Sequence, residues 1–368
     1  MRRNAIFVLV TIVFLSTASA QTVIENPAKP SSRNAGRVVS LKEEMRIEDT
    51  GEGFYFKTPY TIRVSPRGDV FIKDGQEQAL QFDPQGRFVR NLFKKGQGPG
   101  ELTRLLDVWA SPDRLYLLGY PPKILVFNYD GKLVNEFSPR DTGIAGWFIR
   151  ADAEGIIIRK HGQPDPSAGG GFKDIPDEIV EVSPDGTTAK TIGSFPIRSF
   201  IQFDEGGKGM SMFSWNQLQA VALDGNTFFL NYTPEYFVEA FAKDKGAVVR
   251  RFTRPYTRVK RTGGGGVSGT GDNTPPLPEF QSDIYALHVV DGKIWVQTTT
   301  VVEGKGILVD VFDPEGRYVD NFFIQSLMKN ADGKPVNMLL TIAGGFAYFR
   351  DKTEDELIVI KKCRLVGL

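Results

Sequence analysis

In ALQFDPQGRFVRNLF (79 to 93) and LVDVFDPEGRYVDNFF (308 to 323), apolar and polar side chains alternate up to an aromatic residue. The run then halts at Asp-Pro and resumes after a glycine. A period of two places successive side chains on opposite faces of an extended chain, so each half predicts a strand and the turn between them a hairpin. Short runs rich in Val, Ile, Phe and Tyr, bounded by Asp, Gly, Pro or Ser, continue along the chain, with almost no 3.6-residue periodicity of useful length. The predicted class is all-β.

The turns sort into two kinds. One is DPQG at 83, NYDG at 128, SPDG at 183, KDKG at 243 and DPEG at 313; the other, one hairpin earlier, is SPRGD at 65, SPDR at 111, DAEG at 152, LDGN at 223, VDGK at 290 and AGG at 343. These residues supply the positive or preset φ that tight hairpins need. The repeating unit is therefore four antiparallel strands joined by two tight turns. Five complete units follow one another, and a sixth, MLLTIA, FAYFRD and LIVIKKCRL, lacks its fourth strand. RVVSLKEEMRIE near the N-terminus, with Val39, Leu41, Met45 and Ile47 on one face, is the spare strand. Lending it to the last unit closes a ring and removes the exposed edges of an open array. The expectation is a six-bladed β-propeller of four-stranded blades over 37–368, closed by an N-terminal strand and preceded by a flexible segment, 21–36.

KKGQGPGEL (94 to 102) joins the outermost strand of the first blade to the innermost strand of the second. Its Gly96, Gly98, Pro99, Gly100, Glu101 and Leu102 match the G-x-G-P-G-E-hydrophobic connector of the NHL-repeat and related six-bladed propellers, which the chain resembles on these residues and on its D-P-x-G turns. A phosphate cradle is excluded by spacing: there is no G-x-G-x-x-G, no G-K-[ST], and no helix to follow.

In such a blade the connections after strands one and three lie on one face, and here they are tight. Those after strands two and four lie on the other, where the sequence predicts long loops at 161–177, 196–216, 253–283 and 324–337. Long insertions on one face mark a working surface.

Residues 1–20 read as a secretory signal peptide: Arg2-Arg3, an apolar run from Ala5 to Leu15, and an A-x-A site at Ala18 and Ala20. Eleven apolar residues are too few to span a bilayer core, which takes about 20. No transmembrane anchor is expected, and the location is periplasmic or extracellular. Without Arg2 and Arg3 the chain has 43 basic and 44 acidic side chains, a net charge of −1, which gives no field for nucleic acid. Cys363, the only cysteine, precludes an internal disulfide and reads as a packed residue.

Chemistry is sparse. With only His161, His288 and Cys363, a His-rich zinc site is excluded, and no G-x-S-x-G occurs. Some propellers of related fold are lactonases or esterases that hold calcium at the channel mouth with Glu, Asn and Asp; no matching set stands here, and the nearest acids are Glu101, Asp107 and Asp283. Amidating lyases with an NHL-like propeller use several histidines with metal, which this chain lacks. Arg250, Arg251, Arg254, Arg258, Lys260 and Arg261, with Lys245 just upstream, form a basic run best read as a solvated outer strand, the other reading being contact with an anionic glycan, lipid head group or acidic partner; a glycine-rich linker follows. Trp147 and Trp215 stand at or just before strand-one starts beneath long loops, where an aromatic plane could receive a sugar or peptide, the other reading being packing in the core.

The reading is an exported, non-catalytic binding module without a cofactor, taking a protein, peptide or glycan through Tyr60, Arg104, Trp147, His161, Trp215 and Tyr285. The alternative is a calcium-dependent hydrolase, lactonase or lyase of the same architecture with Glu101, Asp107 and Asp283 near the metal.

Overall fold

A computed structural model describes residues 21–49, 51, 53–75, 77–138, 146–165, 167, 169–183, 185–203, 209–261, 277–325 and 341–368. Residues 1–20, 204–208, 262–276 and 326–340, with the sequence expectations that fall on them, lie outside the described residues. The chain is an all-β six-bladed propeller. The first blade is Pro59–Val64, Val70–Asp74, Gln78–Phe82 and Phe88–Asn91, paired in that order; the second is Arg104–Ala110, Leu115–Tyr120, Lys123–Phe127 and Leu133–Phe137. The D-P-x-G turns work as their residues predict: Gly86, Gly131, Gly186, Gly246 and Gly316 all have φ between 57° and 84°, and Gly86 N–H donates to the Asp83 carbonyl at 2.9 Å.

Six apolar clusters hold the ring, one between each pair of neighbouring blades. In the first blade Phe71 faces the second blade with Leu105 and Leu117, while Val70 and Ile72 face the sixth with Tyr348 and Ile360. Both faces of the middle strands are thus covered, and these strands read as continuous apolar runs rather than strict alternation. Each enclosed Ile, Leu or Phe contributes about 1.5–3 kcal/mol of transfer free energy.

The ring closes as the spare strand requires. Ser40–Glu48 run antiparallel to Val359–Val366, with Leu41 opposite Leu365 and Ile47 opposite Ile360. Arg37–Val39 of the same strand run parallel to Phe322–Ile324, so one segment joins the fifth and sixth blades. Val39 and Ile47 are enclosed, whereas Glu43, the break in the alternation, sits at a register shift and pairs with Arg46 at 2.8 Å.

Residues 21–36 depart from the flexible segment expected. Thr22–Glu25 add a parallel strand to Arg250–Thr253 at the edge of the fourth blade. Asn26 Nδ2 donates to the carbonyls of Thr253 (3.1 Å) and Gly316 (2.9 Å), and its Oδ1 accepts from Tyr318 N–H (2.8 Å). Ser32 and Gly36 N–H then donate to Val319 and Asn321 carbonyls, both at 3.0 Å. This strap covers edges that two blades would otherwise expose. It is tied by backbone groups and one asparagine, so no side-chain alternation announces it.

Two predicted loops are also partly strand. The third blade's outer strands, Gly171–Val182 and Ala189–Phe203, pair from Gly171 opposite Ile201 to Val182 opposite Ala189, and Met210–Ser214 add a fifth strand beyond them. Ile175, Asp177 and Ile179 alternate inward on this ribbon. Pro176 faces Pro196, and these prolines and the nearby glycines disguised it as loop.

The connector at 94–102 is structural. Gly98 N–H donates to Glu101 Oε2 (2.9 Å), Gly100 N–H to Glu136 Oε2 (2.5 Å), and Lys123 Nζ to the Gly98 carbonyl (3.0 Å) while pairing with Glu136 at 2.7 Å. Gly100, at φ 73°, supplies the left-handed position.

Candidate functional site

A cavity of about 620 Å³ opens where the inner strands begin and the second strands end. That rim carries the long connections. Its lining comes from the inner strands of the first five blades, among them Thr61, Asp107, Phe148, Gln219 and Ile284, and from the segment 214–218 and the approach to the fifth blade at 281–282.

Three aromatic side chains named from sequence meet here. Trp147 is 44% exposed on the inner strand of the third blade (Gly146–Asp152). Trp215 is half-buried between Met210–Ser214 and the inner strand of the fourth blade (Gln219–Ala222), its ring 5.6 Å from that of Phe172. Tyr285, 44% exposed, stands at the start of the fifth blade's inner strand (Ile284–Val290).

The other three candidates lie outside the lining. Tyr60 is exposed on the first blade's inner strand with Lys73 Nζ 4.8 Å from its ring centroid. Arg104 is exposed at the first position of the second blade's inner strand. His161 ends the second strand of the third blade (Gly155–His161), and its Nδ1 is held by the Asp177 carboxylate. That carboxylate also accepts from Leu218 N–H at 3.1 Å, so the histidine belongs to a latch between the third and fourth blades.

The acids considered for calcium are not brought together. Glu101 folds back on Gly98 N–H in the connector. Asp107, enclosed, accepts from Thr61 Oγ1 of the first blade (3.2 Å) and Phe148 N–H of the third (2.9 Å), so it fastens three inner strands. Burial raises its pKa above the usual carboxylate value, against the pull of Arg63. Asp283, also enclosed, receives Arg258 Nε at 3.0 Å, and burial raises its pKa too. Among the described residues no group of three or more His, Cys, Asp or Glu is placed to hold a metal ion.

The basic run is in part a solvated strand and in part ion pairing with enclosed carboxylates, while the Lys260 pair is exposed. Arg251 pairs with Glu239, Arg254 with Asp310, Arg258 with Asp283 and Lys260 with Glu279. Arg250 instead donates to the Pro314 carbonyl at 2.7 Å, and Arg261 lines the cavity. Cys363 is fully enclosed.

Sequence reasoning passed over two arginines in the cavity wall, Arg63 and Arg159. The signal was a basic residue between Ile62 and Val64 on an innermost strand, where a side chain turned from the blade faces the channel. Arg159 lies over the Trp147 ring at 4.3 Å and its Nη1 donates to the Leu218 carbonyl at 2.6 Å, fixing the indole from below.

Comparison with known proteins agrees with the architecture. The DUF5128 family model, described as a 6-bladed beta-propeller, matches residues 47–139. The crystal structure of a Bacteroides fragilis protein described as a "Putative exported protein" is similar over 94% of this chain and 99% of that one, with a TM-score of 0.53 at 12% identity. BamB from Moraxella catarrhalis aligns over 91% of this chain and 96% of its own, with a TM-score of 0.39 at 10% identity. No curated protein matches the sequence. Among the described residues no helix is long and apolar enough to cross a membrane.

Proposed function

We propose that the chain is an exported, non-catalytic binding module that takes a peptide, protein or glycan into the mouth of its central channel. The observation that carries this is the convergence of Trp147, Trp215 and Tyr285, from three successive blades, around one cavity of about 620 Å³. Cavities of roughly 300–1,000 Å³ are what ligands of modest size occupy, and here aromatic planes stand among polar and charged side chains such as Gln219, Asn231 and Arg159 that can fix a ligand's orientation. Export is supported by the leader-like residues 1–20 and places the work in the periplasm or outside the cell. The resemblance of the 96–102 connector to NHL-repeat propellers supports a scaffold whose variable connections carry recognition.

Peptide and glycan arrays probed with the wild-type chain and with Trp147→Ala and Trp215→Ala test the reading. Binding that both variants lose, with melting temperatures held within a few degrees, supports it. A stoichiometric calcium ion in the purified protein, together with a melting temperature that falls in chelator, overturns it in favour of the calcium-dependent hydrolase.

A further inference from the structure

We infer that the ligand of the central cavity presents a single carboxylate, received by Arg63, with Arg159 in the same cavity wall. This rests on the binding-module reading and specifies its ligand class.

Arg63 belongs to the first blade's inner strand and lines the cavity. Its Nε is enclosed and has no partner among the described residues, and its Nη1 has only a 3.4 Å contact with the carbonyl of its neighbour Ile62. The guanidinium is held in place by the Trp109 ring, 4.8 Å away. Arg159 Nε is likewise enclosed and unpartnered. Other interior arginines differ: Arg254 and Arg258 each have a carboxylate of their own. An enclosed guanidinium with no carboxylate bonded to it is costly, and burial draws both Arg63 and Arg159 below the usual arginine pKa, against the pull of Asp107 on the first and of Asp177 and Asp107 on the second. The cavity therefore favours incoming negative charge.

The number and shape of that charge also follow. Asp107 is the one carboxylate in the described lining, and its oxygens already accept from Thr61 and from Phe148 N–H. Asp177, which also acts on Arg159, lies outside the lining and is taken by His161 and Leu218 N–H. Three guanidiniums line the cavity, Arg63, Arg159 and Arg261, and against them stand Asp107 and, just outside the lining, Asp177, which leaves one positive charge. A monoanion neutralises it, whereas a dianionic phosphate would press a second charge on Asp107. The two oxygens of a carboxylate fit the fork of a guanidinium. Above the floor, Trp147, Trp215 and Tyr285 take an apolar or aromatic body. The same chemistry is offered by a free organic acid and by the C-terminus of a peptide.

Tryptophan fluorescence and calorimetry on the full chain test this with matched pairs: phenylacetate against phenylacetamide, and Ala-Ala-Phe with a free C-terminus against its C-terminal amide. Each carboxylate is expected to bind saturably and its amide at least about tenfold more weakly. A preference confined to phenylacetate identifies the free acid as source, and one confined to the peptide identifies the C-terminus. Arg63→Gln should abolish the preference in a variant that still melts cooperatively; Arg63→Lys, which keeps the charge and loses the fork, should weaken it partway. Amides that bind as well as acids overturn the inference while leaving the binding-module reading intact, as does array binding by a protein that ignores every carboxylate probe. Inorganic phosphate that competes better than phenylacetate also overturns it. Failure of the arrays as well defeats the broader reading.

Discussion

Asp310 is fully enclosed in the third strand of the fifth blade, and Arg254, on the connection leaving the fourth, donates Nε to its Oδ2 at 2.9 Å. Tyr236 and Tyr318 hydroxyls donate to the same carboxylate at 2.6 and 2.5 Å. The Arg254 guanidinium lies 4.9–5.3 Å from the centroids of Tyr236, Tyr256 and Tyr318. One carboxylate thus fastens two blades and anchors the connection that runs up to the cavity rim. Breaking such a pair leaves a buried charge uncompensated, so Asp310→Ala is expected to cost about 3–5 kcal/mol, measured as the shift in the urea unfolding midpoint. A shift no larger than that of an exposed control such as Asp130→Ala would contradict the assignment.

The strap makes a second prediction. Asn26 bonds to both the fourth and fifth blades through three hydrogen bonds. Asn26→Ala should destabilise by about 1–2 kcal/mol and raise amide exchange along Arg250–Thr253. Unchanged exchange there would mean that the strap does not cover the edge in solution.

Ring closure is more demanding. Ile47→Ala opens a void among Ile62, Tyr348 and Ile360 and should cost about 2–5 kcal/mol. Deleting 21–48 leaves Val359–Val366 as an open edge, and light scattering should report association. A monomer of wild-type stability would refute the closure.

In the connector, Gly100 has φ 73°, whereas Gly98 lies outside the positive-φ region and a Cβ there would come 3.1 Å from Glu101 Oε2. The left-handed requirement falls on Gly100. Gly100→Val should cost at least about 1 kcal/mol more than Gly98→Val in thermal melts. The reverse order would be inconsistent with the geometry.

Stability should also depend on pH through His288, on the fifth blade's inner strand. Burial depresses its pKa from 6.5 to about 4, against the hydrogen bond its Nε2 makes to Gln297 Oε1 and with the help of Arg63. As pH falls below 6.5 the unfolded chain takes up this proton before the folded one does. The contribution of the neutral imidazole is complete above 6.5 and is lost on acidification toward 4, at most about 3 kcal/mol. Asp74, Asp107 and Asp283 work in the opposite direction, because burial holds each above the usual carboxylate value and acid relieves them. The histidine is therefore isolated by comparing His288→Gln with wild type between pH 4 and 7, where the variant should lose less stability. Parallel curves would refute it.

The sequence by itself determined the blades, their turns and the closing strand. Each of these is set by neighbours in the chain: the alternation that buries Val70 and Ile72, the glycine after Asp83-Pro84, the apolar face of Val39 and Ile47. Only the tertiary structure decided what meets what across distance. The strap at 22–36 is held through backbone groups that carry no side-chain signature. The ribbon at 171–203 has its pairing masked by prolines and glycines. Arg254 finds Asp310 56 positions away, and Arg159 finds Leu218 59 positions away. Trp147, Trp215 and Tyr285 were legible as aromatic residues at strand starts, but whether they shared a cavity, and with which charges beneath them, depended on the closure of the ring. A charge's local sequence shows that it exists; its partner is fixed only by packing, and packing decided that Arg258 bonds to a carboxylate and left Arg63 Nε without a hydrogen-bond partner among the described residues.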